Sequence, residues 1–304
     1  MRKTIISCIS LFAILIVACN KIEPVEEANI NLDYSVIVDC AMTKTVNNGM
    51  STIWKANDKL SVFHTISGQD NYVKDGVFKI EDPASNEFKG TLNEELLKDQ
   101  TYDWYLFYPN NSNLSVPNNT TYSREIGCMS TRVQTQDGNN NMSHLAGANF
   151  PLYAIIKDNP ADKYPSAHMK NVASVIEFEV KNETSRNFQV TSITFSAPSP
   201  IIGSFAIDFS EEPLKFSVLG ANAVSSDATL NVTNGASIAS NQAGLFYIGI
   251  KPITIESGEE IAVIVHVTSD GIEDQQMFVL EIEQPLSLLS GNIETFELHY
   301  NHIF

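Results

Sequence analysis

The chain has 304 residues, 43% of them hydrophobic and only 18% charged, with 19 Lys and Arg against 36 Asp and Glu and a net charge of −17. That apolar share excludes a disordered tail, and the acidic balance excludes a nucleic-acid binder, which needs cations to release phosphate counterions. Four cysteines with no C-x-x-C pair exclude a disulfide-framework miniprotein, a zinc ribbon and a thioredoxin-like site. At about 150 residues per domain, the length predicts two domains.

Arg2 and Lys3 precede a 13-residue apolar stretch, Ile5 to Val17. A membrane-spanning helix needs about 20 residues, so this stretch has the proportions of a signal-peptide core. It ends in Ile16-Val17-Ala18-Cys19, which resembles a bacterial lipobox with Ile16 where Leu is more usual. On this reading residues 1–18 are a lipoprotein signal peptide cut between Ala18 and Cys19, and Cys19 carries the lipid. Loss of Arg2 and Lys3 takes the net charge to −19. At about 0.8 kcal/mol per buried CH₂, several acyl chains on Cys19 give firm anchoring. Residues 19–31 are acidic and contain Pro24, and read as a flexible tether. Cys8 leaves with the signal. Cys40 and Cys128 remain, either paired in an oxidising compartment or as two separate buried thiols.

Beyond the tether the apolar residues alternate or run in short blocks bounded by turn residues, which predicts strands. In chain order these are Leu32–Val38, Leu60–Phe63, Val77–Ile80, Tyr102–Tyr108, Phe150–Ile156, Val172–Val180, Phe188–Phe195, Ile201–Phe209, Leu245–Ile250, Ile261–Val267, Met277–Ile282 and Ile293–Tyr300. Glu94–Asp99 reads as one helical turn. Asp270-Gly271 predicts a hairpin. Val263, Val265 and Val267 share one face, and Val175, Phe178 and Val180 are expected to share another, as a two-layer sandwich requires. The polar, Pro-bearing stretch Lys157–Pro165 places the domain boundary near 160. The expectation is an all-β chain with domains 32–160 and 161–304.

No phosphate-binding Gly loop and no G-x-S-x-G elbow occurs, and no catalytic residue, cofactor or metal site is assigned. His299 and His302, three apart, fall on opposite faces of a strand and do not make a joint metal site. Asp137-Gly138-Asn139 lacks the acid pattern of a calcium loop and reads as a turn. The carboxylate pairs Glu177/Glu179 and Glu281/Glu283 read as the wet face of a sheet. The aromatic run Trp104, Tyr105, Phe107, Tyr108 reads as a strand buried on both faces rather than a sugar-stacking platform.

Several short motifs occur in a specific order. Ile53-Trp54-Lys55-Ala56-Asn57-Asp58-Lys59-Leu60-Ser61-Val62-Phe63 follows Met42-Thr43-Lys44-Thr45. Phe88-Lys89-Gly90 and Tyr102–Pro109 come next, and then His168–Asn182, Val190–Phe195 and Ile202-Gly203-Ser204-Phe205. In this order, with the lipobox, they resemble the fimbrillin-like lipoproteins, the major and minor fimbrial (Mfa-like) subunits of Gram-negative gut and oral anaerobes. The resemblance covers roughly residues 33–304. It implies two tandem transthyretin-like Greek-key β-sandwich domains and a non-enzymatic fimbrial (pilus) subunit, held at the outer membrane by lipid on Cys19 and exposed at the cell surface. It implies other fimbrial subunits as partners, through strand exchange. A protease cut after an Arg or Lys, here matched by Lys44 with Lys55 and Lys59 nearby, would release the strand Leu32–Val38 and open a groove for another subunit's strand. Ile293–Tyr300 is either the chain's own last strand, in a tip or accessory subunit, or with its last residues a mobile donor. A monomeric surface lipoprotein binding a glycan or a host or bacterial surface protein is the alternative.

Overall fold

The structure, a computed structural model, describes residues 32–39, 54–110, 125–129, 133–145, 151–208, 213–220, 224–234 and 236–302. In the first part of the chain lie β1 (Asp33–Asp39), β2 (Lys59–Ile66), β3 (Val73–Ile80), β4 (Glu87–Thr91), β5 (Thr101–Tyr108), β6 (Glu125–Met129), β7 (Val133–Asp137), β8 (Leu152–Pro160), β9 (Ser166–His168) and β10 (Lys170–Asn171). Then come β11 (Ser174–Asn182), β12 (Phe188–Ser196), β13 (Ile202–Asp208), β14 (Lys215–Val218), β15 (Val224–Ser225), β16 (Asp227–Thr233), β17 (Ser237–Ile238) and β18 (Ala243–Ile250). The chain ends with β19 (Ile253–Ile255), β20 (Glu260–Ser269), β21 (Ile272–Glu281), β22 (Leu286–Leu288) and β23 (Ile293–Tyr300). The chain is all-β: the helical content of the described residues is one 3₁₀ turn, Pro83–Ser85. All twelve strands expected from the sequence are present.

The first sheet runs β10-β8-β5-β2-β3-β4-β1-β9. It curls onto itself: Tyr34 of β1 stacks on Trp104 of β5, four strands away, with ring centroids 5.1 Å apart. Two features permit the curl. The β2–β3 register slips between Ser61 and Phe63, a bulge that increases local bend. β3 and β4 then share only the pairs Lys79↔Lys89 and Ile80↔Phe88. The enclosed core holds Val36, Leu60, Val62, Phe78, Ile80, Phe88, Trp104 and Leu106, all at most 1% exposed.

The outer face of this sheet is also covered. Phe63, Tyr105, Phe107 and Tyr153 pack with Phe205, Ile207 and Leu214, from β13 and the segment leading to β14. β5 is therefore apolar on both faces, as its unbroken aromatic run predicts.

The second core lies between two sheets. One runs β21-β20-β12-β16-β7, with β17 beside β12; the other runs β18-β11-β23. Val263, Val265 and Val267 point into this core as expected. β20 and β21 form the expected hairpin around Asp270 and Gly271, both at positive φ (50° and 78°), as a two-residue I′ turn requires.

Sheet membership interleaves along the chain. β9 and β10, beyond residue 160, pair with β1 and β8 of the first sheet. β6 and β7, before it, pair with β13 and β16.

Two expectations need correction. Glu94–Asp99 forms no helical turn. Its neighbours' amides go to side chains instead: Asn93 N donates to Asp75 (3.0 Å) and Leu97 N to the Tyr102 hydroxyl (2.7 Å), while Leu92 and Leu96 are pinned in the core. Val175 does not share the face of Phe178 and Val180. At odd spacing from Phe178 the alternation of a strand sends it to the opposite side, where it packs with Leu145, Ala173 and Tyr247.

Candidate functional site: the β1 groove and the sheet edges

β1 points three large side chains, at every second position, to one side, while Ser35 on the other side is also buried, donating its hydroxyl to Glu87 at 2.8 Å. Tyr34, Val36 and Val38 are buried at 3%, 0% and 0% exposure, whereas Ile37 is 39% exposed. Burying three such side chains contributes roughly 5–8 kcal/mol. The strand is antiparallel to β4 from Asp33↔Thr91 to Ile37↔Glu87, and parallel to the three-residue β9. Its inward side chains plug the opening between the two limbs of the curled sheet. Tyr34 stacks on Trp104, meets Tyr164 edge-on at 5.0 Å and donates its hydroxyl to Lys163 O at 2.8 Å. Burial, then the nearby Tyr164 and Asp162, pushes the Tyr34 phenol well above its ordinary pKa, so it remains a neutral donor.

The tryptophan motif closes the far end of the plug. Trp54 Nε1 donates to Val38 O at 3.0 Å, and its ring meets Phe88 and Tyr108 edge-on at 4.9 and 5.2 Å. The turn after it depends on Asn57 at φ 75° and on Asp58. The Asp58 carboxylate accepts the Lys55 amide (2.8 Å) and the Tyr108 hydroxyl (3.2 Å). Gly90, the partner of Tyr34 in register, meets the Phe78 ring so closely that a Cβ would stand 2.5 Å from it. Trp54, Asp58 and Gly90 thus act on the seating of β1, not on a reaction.

Lys44, the candidate cleavage residue, lies outside the described residues, between Asp39 of β1 and Trp54. Ala18, Cys19 and Cys40 also lie outside them. Cys128 falls within β6, with its side chain outside the description.

The last strand is built in. β23 pairs in parallel with β11 from Val175↔Ile293 to Asn182↔Tyr300, and Leu298 and Tyr300 are fully buried. Tyr300 donates to Asp274 (3.0 Å). Gln276 accepts the Asn301 amide (3.0 Å), and His302 bonds Asp274 (2.8 Å). His299 instead meets Glu183 at 2.5 Å, so the two histidines serve separate carboxylates.

A second edge carries a device that sequence reading missed. β18 ends its sheet, yet its outward backbone groups are met by side chains from residues 134–144. Gln134 clasps Gly249 through both N–H and C=O (2.9 and 2.6 Å). Gln136 accepts the Tyr247 amide (2.9 Å) and donates to Leu245 O (3.0 Å). Asn140 accepts the Leu245 amide (3.1 Å), and His144 Nε2 donates to Tyr247 O (2.9 Å). Gln134 and Gln136 are buried at 1% and 0% exposure. The signal was the alternation Val133-Gln134-Thr135-Gln136, polar at both buried positions and so unreadable as a core strand. An edge sealed this way offers no free ladder to a stray strand.

The remaining candidates are surface or core. Trp54 and Trp104 are 4% and 0% exposed and present no stacking platform. Glu177 accepts from Thr295 (3.0 Å) on an exposed flank, and Glu281 and Glu283 are exposed. Residues 138–140 form a bend, with Gly138 and Asn140 at positive φ. Among the described residues no group of three or more His, Cys, Asp or Glu is arranged to hold a metal.

No family model matches the chain, and no curated protein does. Solved structures do. A candidate cell adhesion protein from Bacteroides ovatus superposes at a TM-score of 0.52 and 13% identity, covering 90% of this chain and 93% of its own. A fimbrial assembly protein from Parabacteroides distasonis gives 0.41 and 13%, covering 88% and 91%. The fimbrial anchor protein Mfa2 from Porphyromonas gingivalis gives 0.39 and 10%, covering 85% and 99%. The chain therefore has the fold of the Bacteroides ovatus protein over nearly its whole length.

Proposed function

We propose that this chain is a non-enzymatic fimbrial subunit of the bacterial cell surface that assembles by β-strand addition and contributes to adhesion. The observation that carries this reading is β1. It is a short strand with three alternating buried side chains, held between β4 and a three-residue strand, and followed by a segment containing Lys44. Cleavage after Lys44 would leave β1 joined to the groove by non-covalent contacts alone. An incoming strand would gain the same backbone ladder and the same three pockets, which is the physical content of strand addition. The motif order and the names of the similar solved structures support the reading. On this proposal the chain has two tandem transthyretin-like sandwiches, divided near residue 160, with strands interleaved across the division. Its signal peptide is removed and Cys19 lipid holds it to the outer membrane. A groove-bearing subunit has other fimbrial subunits as partners.

The test is digestion of the secreted chain with a Lys- or Arg-specific protease. Release of a peptide ending at Lys44, followed by a ladder of oligomers, is the expected result. An N-terminus that stays intact, or a cleaved chain that remains strictly monomeric, contradicts polymerisation.

A further inference from the structure

We propose that the cleft floored by His64 binds a primary alkylammonium group, of the kind carried by a lysine side chain. His64 of β2 is 2% exposed, and its Nδ1 lies 2.7 Å from Asp75, whose side chain is fully buried. A carboxylate only accepts, so Nδ1 carries a proton in the bond to Asp75; with that single proton on the ring, Nε2 presents its lone pair. Among the described residues Nε2 has no hydrogen-bond partner, and His64 lines a cleft of about 240 Å³. Asp75 is itself fixed by the Asn93 amide at 3.0 Å, so the acceptor is held in place from behind.

The walls define the ligand. Ile66, Val73 and Leu97 line the cleft with apolar surface beside the polar Thr65, Gln69 and Asn71; Glu94 and Glu95 are exposed at its margin, and among the described residues no Lys or Arg lines it. Glu94 acts on the phenol of Tyr102, which also lines the cleft. An alkyl stem suits the apolar walls. An ammonium head supplies donors to Nε2 and charge to the two carboxylates, in charge-assisted bonds stronger than neutral ones. An anion meets repulsion there. This inference is independent of strand exchange, since β1 does not line the cleft.

The experiment uses the full secreted chain labelled with ring-¹⁵N histidine, titrated at pH 8 with n-butylammonium chloride, n-butanol or sodium chloride. The expected result is a saturable movement of the His64 Nε2 resonance with n-butylammonium only. The double variant Glu94→Gln/Glu95→Gln, both at exposed positions, is expected to weaken binding roughly tenfold or more. No saturable movement, an equal response to n-butanol, or unchanged affinity in the double variant overturns the proposal.

Discussion

Replacing Trp54 probes the seating of β1 directly. In Trp54→Phe the edge contacts to Phe88 and Tyr108 survive in part, but the 3.0 Å bond to Val38 O is lost. A lost buried hydrogen bond and a smaller ring together cost about 1–3 kcal/mol. Trp54→Ala also empties a site that is 4% exposed, for about 3–5 kcal/mol. Urea unfolding at constant m-value measures the totals. Amide hydrogen exchange locates them: each 1.4 kcal/mol of local opening is about tenfold in rate. Exchange should quicken in β1 and the facing part of β4, and the amides of β12 and β20 should keep their protection. If Trp54→Ala costs under 1 kcal/mol, or if exchange rises equally in β12 and β20, the indole is not what holds β1.

Three further outcomes follow from the same geometry. Gly90→Ala places a methyl against the fully buried Phe78 ring and should lower stability by about 1–3 kcal/mol, read from the urea midpoint. Gln136→Leu keeps volume but leaves the Tyr247 amide unpaired, while Leu245 O keeps the Asn140 amide at 2.9 Å; thermal unfolding should show a loss of roughly 1–3 kcal/mol. Burial tends to raise the Asp103 pKa, but bonds from Lys157, the Asp158 amide and Ser67 outweigh it, so the net shift is downward. A depressed carboxyl stabilises the fold above its unfolded pKa of about 3.9 and loses that contribution as pH falls through its folded value. Asp103→Asn should therefore be destabilising at pH 7 and nearly neutral at pH 2, in paired denaturation curves.

Period-two patterns were the readable part of this sequence. Leu32–Val38 and Ile261–Val267 declare their faces because their fully buried apolar residues recur at every second position, although Ser35 on the other side of the first is buried too. Strands whose buried positions are polar, such as Val133–Asp137, carry no such mark: Gln134 and Gln136 are buried to complete backbone bonds, which only the position of β18 explains. Very short strands such as Ser166–His168 are equally silent, because three residues hold no period. The helical turn expected at Glu94–Asp99 failed because Asp75 and Tyr102, distant in sequence, claim local amides. Trp54 and Asp58 were legible as folding determinants, but that the indole caps β1 required the fold. His64 and Asp75, eleven residues apart across a β-hairpin with a bulge, gave no signal as a pair.

Removal of β1 is the most direct test of the central claim. A chain beginning at Thr45 should fold, and should capture a synthetic peptide of residues 32–39 in a fluorescence-anisotropy titration. Capture should fail when Tyr34, Val36 or Val38 in the peptide is changed to Asp, and should persist when Ile37 is. A truncated chain that folds and ignores the peptide, or binds all four variants alike, contradicts a groove that reads alternate side chains.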